Sequence, residues 1–219
     1  MEVRQMKDLE KRSYVCEVRA DEGTNNIIIG RPIVYGSRTD IGLFDEVIEP
    51  GALDRTDLTD VRFLVNHDTS RIPLARSRRN NGNSTMLLTV DEQGMGIRVE
   101  LDTENNTEAR ALYSAVQRGD ISGMSFMFSV RDDEWAELDS EHPIRHIRDI
   151  SSVVEVSAVT FPAYEATEIY ARSKEALESA RSALENARQQ RAAEVETSKK
   201  QIDNSLLLLK EQTKTLTLK

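Results

Sequence analysis

The sequence predicts a fold that is mainly β with helices, followed by a helical C-terminal tail. Three observations support this prediction. Several segments alternate apolar and polar residues with a period of two, which is typical of half-buried strands. Residues 107–118 instead show the spacing of a helix, with an apolar stripe formed by Ala111, Leu112, Ala115 and Val116. Beyond about Tyr164 the composition changes to Ala, Glu, Arg and Lys without Gly or Pro, which favours helix.

These patterns divide the chain into three parts. Residues 1–12 are polar and charged, and we expect them to form a flexible N-terminal segment. Residues 13–170 are expected to form the β domain. Residues 171–219 are expected to form a helical tail that is either mobile or packed on the domain.

The predicted strands of the β domain share the alternating pattern and are separated by Gly, Asn, Asp and Pro turns. Gly30 and Pro32 indicate a bulge or bend in one of them. The acidic stretch 132–142 is expected to be an exposed loop. The predicted strands are 13–18, 27–35, 61–67, the hairpin 85–90 and 96–101, 121–130, 144–150 and 152–160.

Composition limits the classes of partner. The net charge of −9 argues against nucleic acid, because phosphate binding depends on clustered Lys and Arg. The single cysteine, Cys16, excludes an internal disulfide and suits a reducing compartment. The N-terminus shows no basic segment followed by an apolar one, and the sequence contains no apolar run of about 18 residues. Neither secretion nor membrane insertion is therefore expected.

The stretch 119–130 carries the first candidate for chemistry. Met124, Phe126 and Phe128 fall on one face of the predicted strand, and Ser125 falls on the other. A strand holds a side chain rigidly, as a nucleophile requires. The alternative is a small residue tolerated on a half-exposed strand, the usual role of a strand serine.

Two further strands carry an unexpected polar residue. Glu155 lies in a run of β-branched residues, where an unpaired carboxylate would cost several kcal/mol to bury. It therefore requires a donor, unless it faces solvent on an edge strand. His67 ends the predicted strand 61–67, on the same face as Phe63 and Val65. It could be that donor, or it could be a surface histidine. A carboxylate that orients a histidine beside a serine is the arrangement of a nucleophilic triad. No Gly-x-Ser-x-Gly motif surrounds Ser125, so an α/β-hydrolase elbow is not supported.

At these residues the chain resembles the prohead (capsid maturation) proteases of tailed bacteriophages, over roughly residues 13–170. Five blocks carry the resemblance: FDEVIEPGAL at 44–53, LVNHD at 64–68, the turn at 91–96, ISGMSF at 121–126 and VEVSAVTFPA at 154–163. The resemblance implies a closed antiparallel β-barrel of the herpesvirus-protease type. It also implies a serine endopeptidase with Ser125 as nucleophile, His67 as general base and Glu155 as the third member. The herpesvirus relatives use a histidine in the third role, which leaves His142 and His146 as competitors.

The spacing of His142 and His146 could also suggest a metal pair. Pro143 between them and the lack of a nearby cysteine argue against zinc. We expect neither a metal nor an organic cofactor. The loop 161–163 is the predicted position of the oxyanion hole.

The resemblance also implies partners and a location. Such an enzyme cleaves the scaffolding segment of the major capsid protein, and often itself, inside an immature capsid in the host cytoplasm. The tail would direct it into the prohead or be removed by self-cleavage, and a homodimer is expected by analogy. The alternatives are a non-catalytic internal scaffold protein of the prohead and a generic serine esterase.

Overall fold

The computed structural model describes residues 9–14, 18–21, 23–160 and 174–216, and within them it contains eleven strands and two helices. The predicted mainly-β fold with helices and a C-terminal helix is confirmed. In chain order the elements are β1 (Glu10–Tyr14), β2 (Val18–Ala20), β3 (Ile27–Val34), β4 (Arg38–Asp40), β5 (Asp45–Ile48), β6 (Asp60–Val65), β7 (Ala75–Arg78), β8 (Met86–Asp91), β9 (Gly94–Glu100), α1 (Thr107–Gln117), β10 (Gly123–Ala136), β11 (Ile144–Val159) and α2 (Lys174–Leu216).

The larger sheet is built around β11, a strand of 16 residues. Its strand order is β1-β10-β11-β5-β4. β6 also pairs with β11, and β7 pairs with β6. β10 pairs with β11 in antiparallel orientation along nearly its whole length. β5 and β6 pair in parallel orientation with the first and last parts of β11. The expectation of an antiparallel sheet is therefore wrong at these two pairings.

The smaller sheet has the order β2-β3-β9-β8 and is antiparallel throughout. The predicted hairpin is confirmed as β8 and β9. Gly94 at its turn has a φ of 130°, and a Cβ there would lie 2.1 Å from the Ile33 carbonyl oxygen, so only glycine fits. The pairing of β3 with β9 is irregular between Gly30 and Ile33, where the sequence predicted a bulge.

Apolar faces of the strands form the core. Phe126 and Phe128 on β10 are fully buried with ring centroids 4.8 Å apart, and Phe63 and Val156 on the neighbouring strands are also fully buried. Burial of one such side chain contributes roughly 1.5–3 kcal/mol. The face of β10 that carries Ser125 is the opposite one, as the alternating pattern predicted.

Helix α1 leads the chain into β10. Its N-cap is Asn106, whose side chain accepts hydrogen bonds from two backbone N–H groups of the first turn. It ends before Gly119, which has a φ of 79° and turns the chain towards β10. The predicted stripe is partly wrong, because Ala111 is exposed. The buried residues are Ala109, Leu112, Tyr113 and Val116.

Other predicted boundaries also differ. β1 begins at Glu10, inside the segment expected to be flexible, whereas residues 1–8 and 15–17 lie outside the described residues. β10 continues to Ala136, inside the predicted acidic loop, and the two strands predicted at 144–150 and 152–160 are one strand, β11. Closure of the two sheets into one barrel stays a prediction.

The chain divides into two compact units, residues 1–180 and 181–219. α2 is 43 residues long and begins in the first unit. Within the described part of the chain, none of the helices combines the length and apolarity needed to span a membrane.

Candidate active site

β10 holds Ser125 between the edge strand β1 and the long strand β11 of the larger sheet. In the pairing register Ser125 lies opposite Ser13 of β1 on one side and opposite Ser157 of β11 on the other. Residues directly opposite each other in a sheet point to the same face. Ser125 and Ser157 are both completely buried. Both side chains on this face of the sheet are therefore shielded from solvent.

His67 reaches this face because β6 ends in an unusual turn. Asn66 and His67 both have left-handed backbone conformations, with φ of 52° and 58°, which cost energy in a residue with a side chain. The Asn66 N–H donates to the Ala158 carbonyl at 3.0 Å, and the Asn66 side-chain oxygen accepts from the Thr160 N–H at 3.0 Å. The turn folds His67 back over the strands that carry Ser125 and Ser157.

Glu155 lies on β11 two residues before Ser157, so both side chains project from one face. Glu155 is only 3% exposed. Its two carboxylate oxygens have separate donors: Oε2 lies 2.6 Å from His67 Nδ1, and Oε1 accepts the hydroxyl of Ser157. The charge that would be costly to bury alone is thus compensated on both oxygens.

The three residues form one chain of hydrogen bonds. His67 Nε2 lies 2.5 Å from Ser125 Oγ, on the opposite side of the ring from Glu155. Because a carboxylate can only accept, His67 Nδ1 carries the proton that points to Glu155. In the neutral ring Nε2 is then an acceptor for the Ser125 hydroxyl. The arrangement can take a proton from Ser125 and stabilise the resulting imidazolium.

A fourth group also contacts the serine. Ser125 Oγ donates to the backbone carbonyl of Arg12, in β1, at 2.6 Å. The hydroxyl has one proton and two acceptors, the Arg12 carbonyl and His67 Nε2. The Arg12 carbonyl of β1 therefore competes with the histidine for the proton of Ser125.

A buried ion cluster attaches β1 to the sheet. Arg12 Nε donates to Glu46 Oε1 at 2.7 Å, and Arg145 donates to Glu46 at 3.1 Å and to Glu10 at 2.6 Å. Arg145 also donates to Asp133 at 2.5 Å, and Arg12 is ion-paired with Glu10. Burial alone would raise the pKa of the Glu10 carboxyl, but the charges and hydrogen bonds of both arginines lower it below its ordinary value.

The other two histidines are paired elsewhere. His142 Nε2 lies 3.1 Å from Asp45, and His146 Nδ1 lies 2.6 Å from Glu49. The residue hydrogen-bonded to His67 Nδ1 is thus Glu155 and neither of these histidines. Asp40, Asp45 and His142 bring possible ligand atoms within 4.8 Å of one another. Arg38, however, already donates to Asp45 at 2.6 Å, which does not fit a bound cation.

An apolar cavity of about 470 Å³ lies beside the His67 turn. Asn66 and Asp68, the neighbours of His67, line it. Leu64 and Leu74 form one side, and Leu112 of α1 contributes to the other. The predicted oxyanion-hole loop 161–163 lies outside the described residues.

A hydroxyl, an imidazole and a buried carboxylate thus lie in one hydrogen-bonded series, which is the arrangement that a serine nucleophile requires. A family model described as caudovirus prohead serine protease matches residues 15–181. The chain belongs to this family, which confirms the resemblance found in the sequence.

Two individual proteins show the extent of the similarity. The prohead protease of Enterobacteria phage HK97 is 29% identical over 147 residues, which is 66% of this chain and 59% of that protein. The match thus spans about three fifths of the relative's length. The solved structure of the bacteriophage T4 capsid assembly protease, gp21, superimposes with a TM-score of 0.40 and 10% identity, over 71% of this chain and 99% of that one.

Sequence reasoning missed two parts of the site. Ser157 follows Glu155 by two residues in a run of apolar and small residues, and this second polar residue on the same predicted face was a usable signal. The hydrogen bond from Ser125 to the Arg12 carbonyl of β1 left no signal in the sequence, because residues 1–12 are only polar and charged.

Proposed function

We propose that this chain is a serine endopeptidase of capsid maturation, with Ser125 as nucleophile, His67 as general base and Glu155 as the group that orients the base. The observation that carries the proposal is the hydrogen-bond series from Glu155 through His67 to Ser125, with distances of 2.6 and 2.5 Å. Family membership supports peptide hydrolysis as the reaction.

In the proposed mechanism, Ser125 Oγ attacks a peptide carbonyl while its proton passes to His67 Nε2. Glu155 holds the ring in the required tautomer and stabilises the imidazolium. The imidazolium then donates that proton to the leaving amine, and water releases the acyl group by the same steps. Such a general base contributes about 10²–10⁴-fold to the rate.

In the proposed mechanism Ser125 must give up its hydrogen bond to the Arg12 carbonyl of β1. The serine is completely buried, and the Arg12 carbonyl accepts its proton. We propose that the described arrangement is a resting one, in which an edge strand withholds the nucleophile. Displacement of β1 would free an edge of β10, to which an extended substrate could pair as a strand. The cavity beside His67 would accept an apolar substrate side chain.

The proposed substrate is the scaffolding segment of the major capsid protein, with self-cleavage as a second reaction, inside the immature capsid in the host cytoplasm. The family membership and the name of the similar HK97 protein, a prohead protease, support this assignment. The barrel closure and the homodimer expected from the resemblance belong to the same proposal. No cofactor is required by the mechanism.

Co-expression with the major capsid protein of the same phage tests the proposal. Intact-mass spectrometry of assembled shells should show a shortened capsid protein with the wild type and the full-length protein with Ser125→Ala. Ser129→Ala, which alters a serine on the same strand outside the triad, should cleave as the wild type does. Full-length capsid protein with every variant, in shells that contain the chain, would support the scaffold alternative.

A further inference from the structure

Ser157 makes two hydrogen bonds, one to Glu155 and one to His67, the two residues that form the hydrogen-bond series with Ser125. Its hydroxyl donates to Glu155 Oε1, and its oxygen accepts the backbone N–H of His67 at 3.0 Å. Ser157 is completely buried and lies directly opposite Ser125 in the β10–β11 register. It therefore joins the carboxylate and the backbone of the histidine through one atom.

The two bonds are complementary. The single hydroxyl proton is used for Glu155, so a lone pair of the oxygen remains for the His67 N–H. The carboxylate accepts Ser157 on Oε1 and His67 Nδ1 on Oε2, which fixes the rotation of the carboxylate plane. The bond to the His67 backbone anchors a residue whose φ of 58° is unfavourable.

A buried serine in this fold does not need such partners. Ser77 on β7 is also completely buried, and its hydroxyl has no hydrogen-bond partner among the residues that the structure describes. Burial therefore does not explain why Ser157 is bonded twice within the triad.

We propose that Ser157 is a positioning residue of the active site, which sets the geometry of Glu155 and His67 without touching the substrate. The inference rests on the proposed function. It predicts that Ser157 acts through Glu155. A misplacement of catalytic groups by about 1 Å costs about 10²-fold in rate, so Ser157→Ala is expected to slow cleavage of the capsid protein by about 10²-fold.

A double-mutant cycle separates positioning from a general contribution to folding. Ser157→Ala should add little to the loss caused by Glu155→Gln, because both changes remove the same orienting unit. Ser151→Ala is the matched control. Ser151 is on the same strand and its hydroxyl is also hydrogen-bonded, to Ser129, but it makes no contact with the triad. Fully additive losses for Ser157 and Glu155 would overturn the proposal.

Proton NMR decides the same question without a substrate. The hydrogen-bonded Nδ1–H proton of His67 should give a low-field signal in the wild type that is absent in His67→Gln. Ser157→Ala should move this signal upfield and broaden it, Ser157→Thr should restore it, and Ser151→Ala should leave it unchanged. An unchanged signal in Ser157→Ala, or no low-field signal in the wild type, would overturn the proposal. The expected shifts in a protein that fails to cleave any capsid protein would overturn the proposed function alone.

Discussion

Glu155 is the residue on which the electrostatics of the site depend. It is 3% exposed between strands of apolar residues, and both of its oxygens accept hydrogen bonds, from His67 and Ser157. A carboxylate in this position stabilises the charged imidazole and fixes its tautomer. Removal of its charge should therefore lower the cleavage rate more than it changes the geometry of the site.

Glu155→Gln tests this role at the residue scale. The amide keeps the shape of the side chain but removes the charge, and the cleavage rate should fall on the order of 10⁴-fold, as for the equivalent change in a serine-protease triad. The matched control is Glu49→Gln, which removes the carboxylate beside His146. The rate is measured from the mass of the capsid protein over time. Equal losses for the two variants would contradict the assigned role.

The individual site residues were predictable to a useful degree. Ser125, His67 and Glu155 each interrupted an apolar pattern, and the structure brings all three together. Their roles stay a prediction. Ser157 was harder to recognise, because a hydroxyl costs much less to bury without a partner than a carboxylate does, and buried Ser77 lacks a partner among the described residues.

At the scale of elements, the turn after β6 determines where His67 lies. Asn66 adopts a left-handed conformation that asparagine tolerates better than most residues, and its side chain also binds Thr160. Strand alternation placed His67 on the face of Phe63 and Val65. The turn instead lifts it from the strand, and a pattern of period two cannot predict that.

Asn66→Ala should destabilise the turn and slow the enzyme. Alanine lacks the bonds to Thr160 and disfavours a φ of 52°, so unfolding in urea should show a loss of about 1–2 kcal/mol. Cleavage should be slower at temperatures where the protein stays folded. Asn80→Ala is the control, because Asn80 has a φ of 48° and bonds Leu88 away from the site. An equal loss of stability without a loss of rate is expected there, and slowing in both variants would refute the account.

The first three residues of β1, 10–12, were predicted to belong to a flexible segment, and the reason for the error is electrostatic. Glu10 and Arg12 pair with Glu46 and Arg145, partners 34 to 135 residues away in sequence. Each of these charges alone suggests solvent exposure. Only the fold shows that these opposite charges form ion pairs with one another in a buried position, so composition could not reveal the cluster.

The cluster predicts acid sensitivity of β1. The folded-state pKa of Glu10 lies below its ordinary value, so its carboxylate stabilises the fold above the unfolded-state pKa of about 4.3, and this contribution is lost as the pH falls through the folded-state pKa. The stability difference between wild type and Glu10→Gln should be full at neutral pH and vanish in acid. Thermal unfolding between pH 7 and about pH 3 measures it. Glu194→Gln, an exposed residue on α2, should show no such trend. A difference that is independent of pH would contradict the prediction.

At the scale of the whole molecule, the division at residue 180 suggests separate tasks for the two units. The family match covers residues 15–181, so residues beyond it lie outside the part that defines the family. We infer that α2 carries the delivery function expected for the tail. The change in composition after Tyr164 predicted the helix, because good helix formers without Gly or Pro need no tertiary partner to favour it.

Removal of residues 181–219 should abolish incorporation of the chain into proheads. Ser125→Ala should be incorporated as the wild type is, because it alters only the nucleophile. Purified proheads analysed by quantitative mass spectrometry give the number of copies per shell. If the truncated chain is incorporated as well as the full chain, the proposed delivery role of α2 is wrong.

The central claim is that Ser125 is a nucleophile activated by His67. Its most direct test is covalent labelling with a fluorophosphonate, a reagent that modifies activated serines, followed by peptide mapping by mass spectrometry. The labelling is done on the chain inside assembled proheads, where the proposed enzyme works. The account predicts one adduct, on Ser125, that disappears in His67→Ala. A Ser125 that stays unlabelled in the proheads, or an adduct that forms equally well without His67, would contradict it.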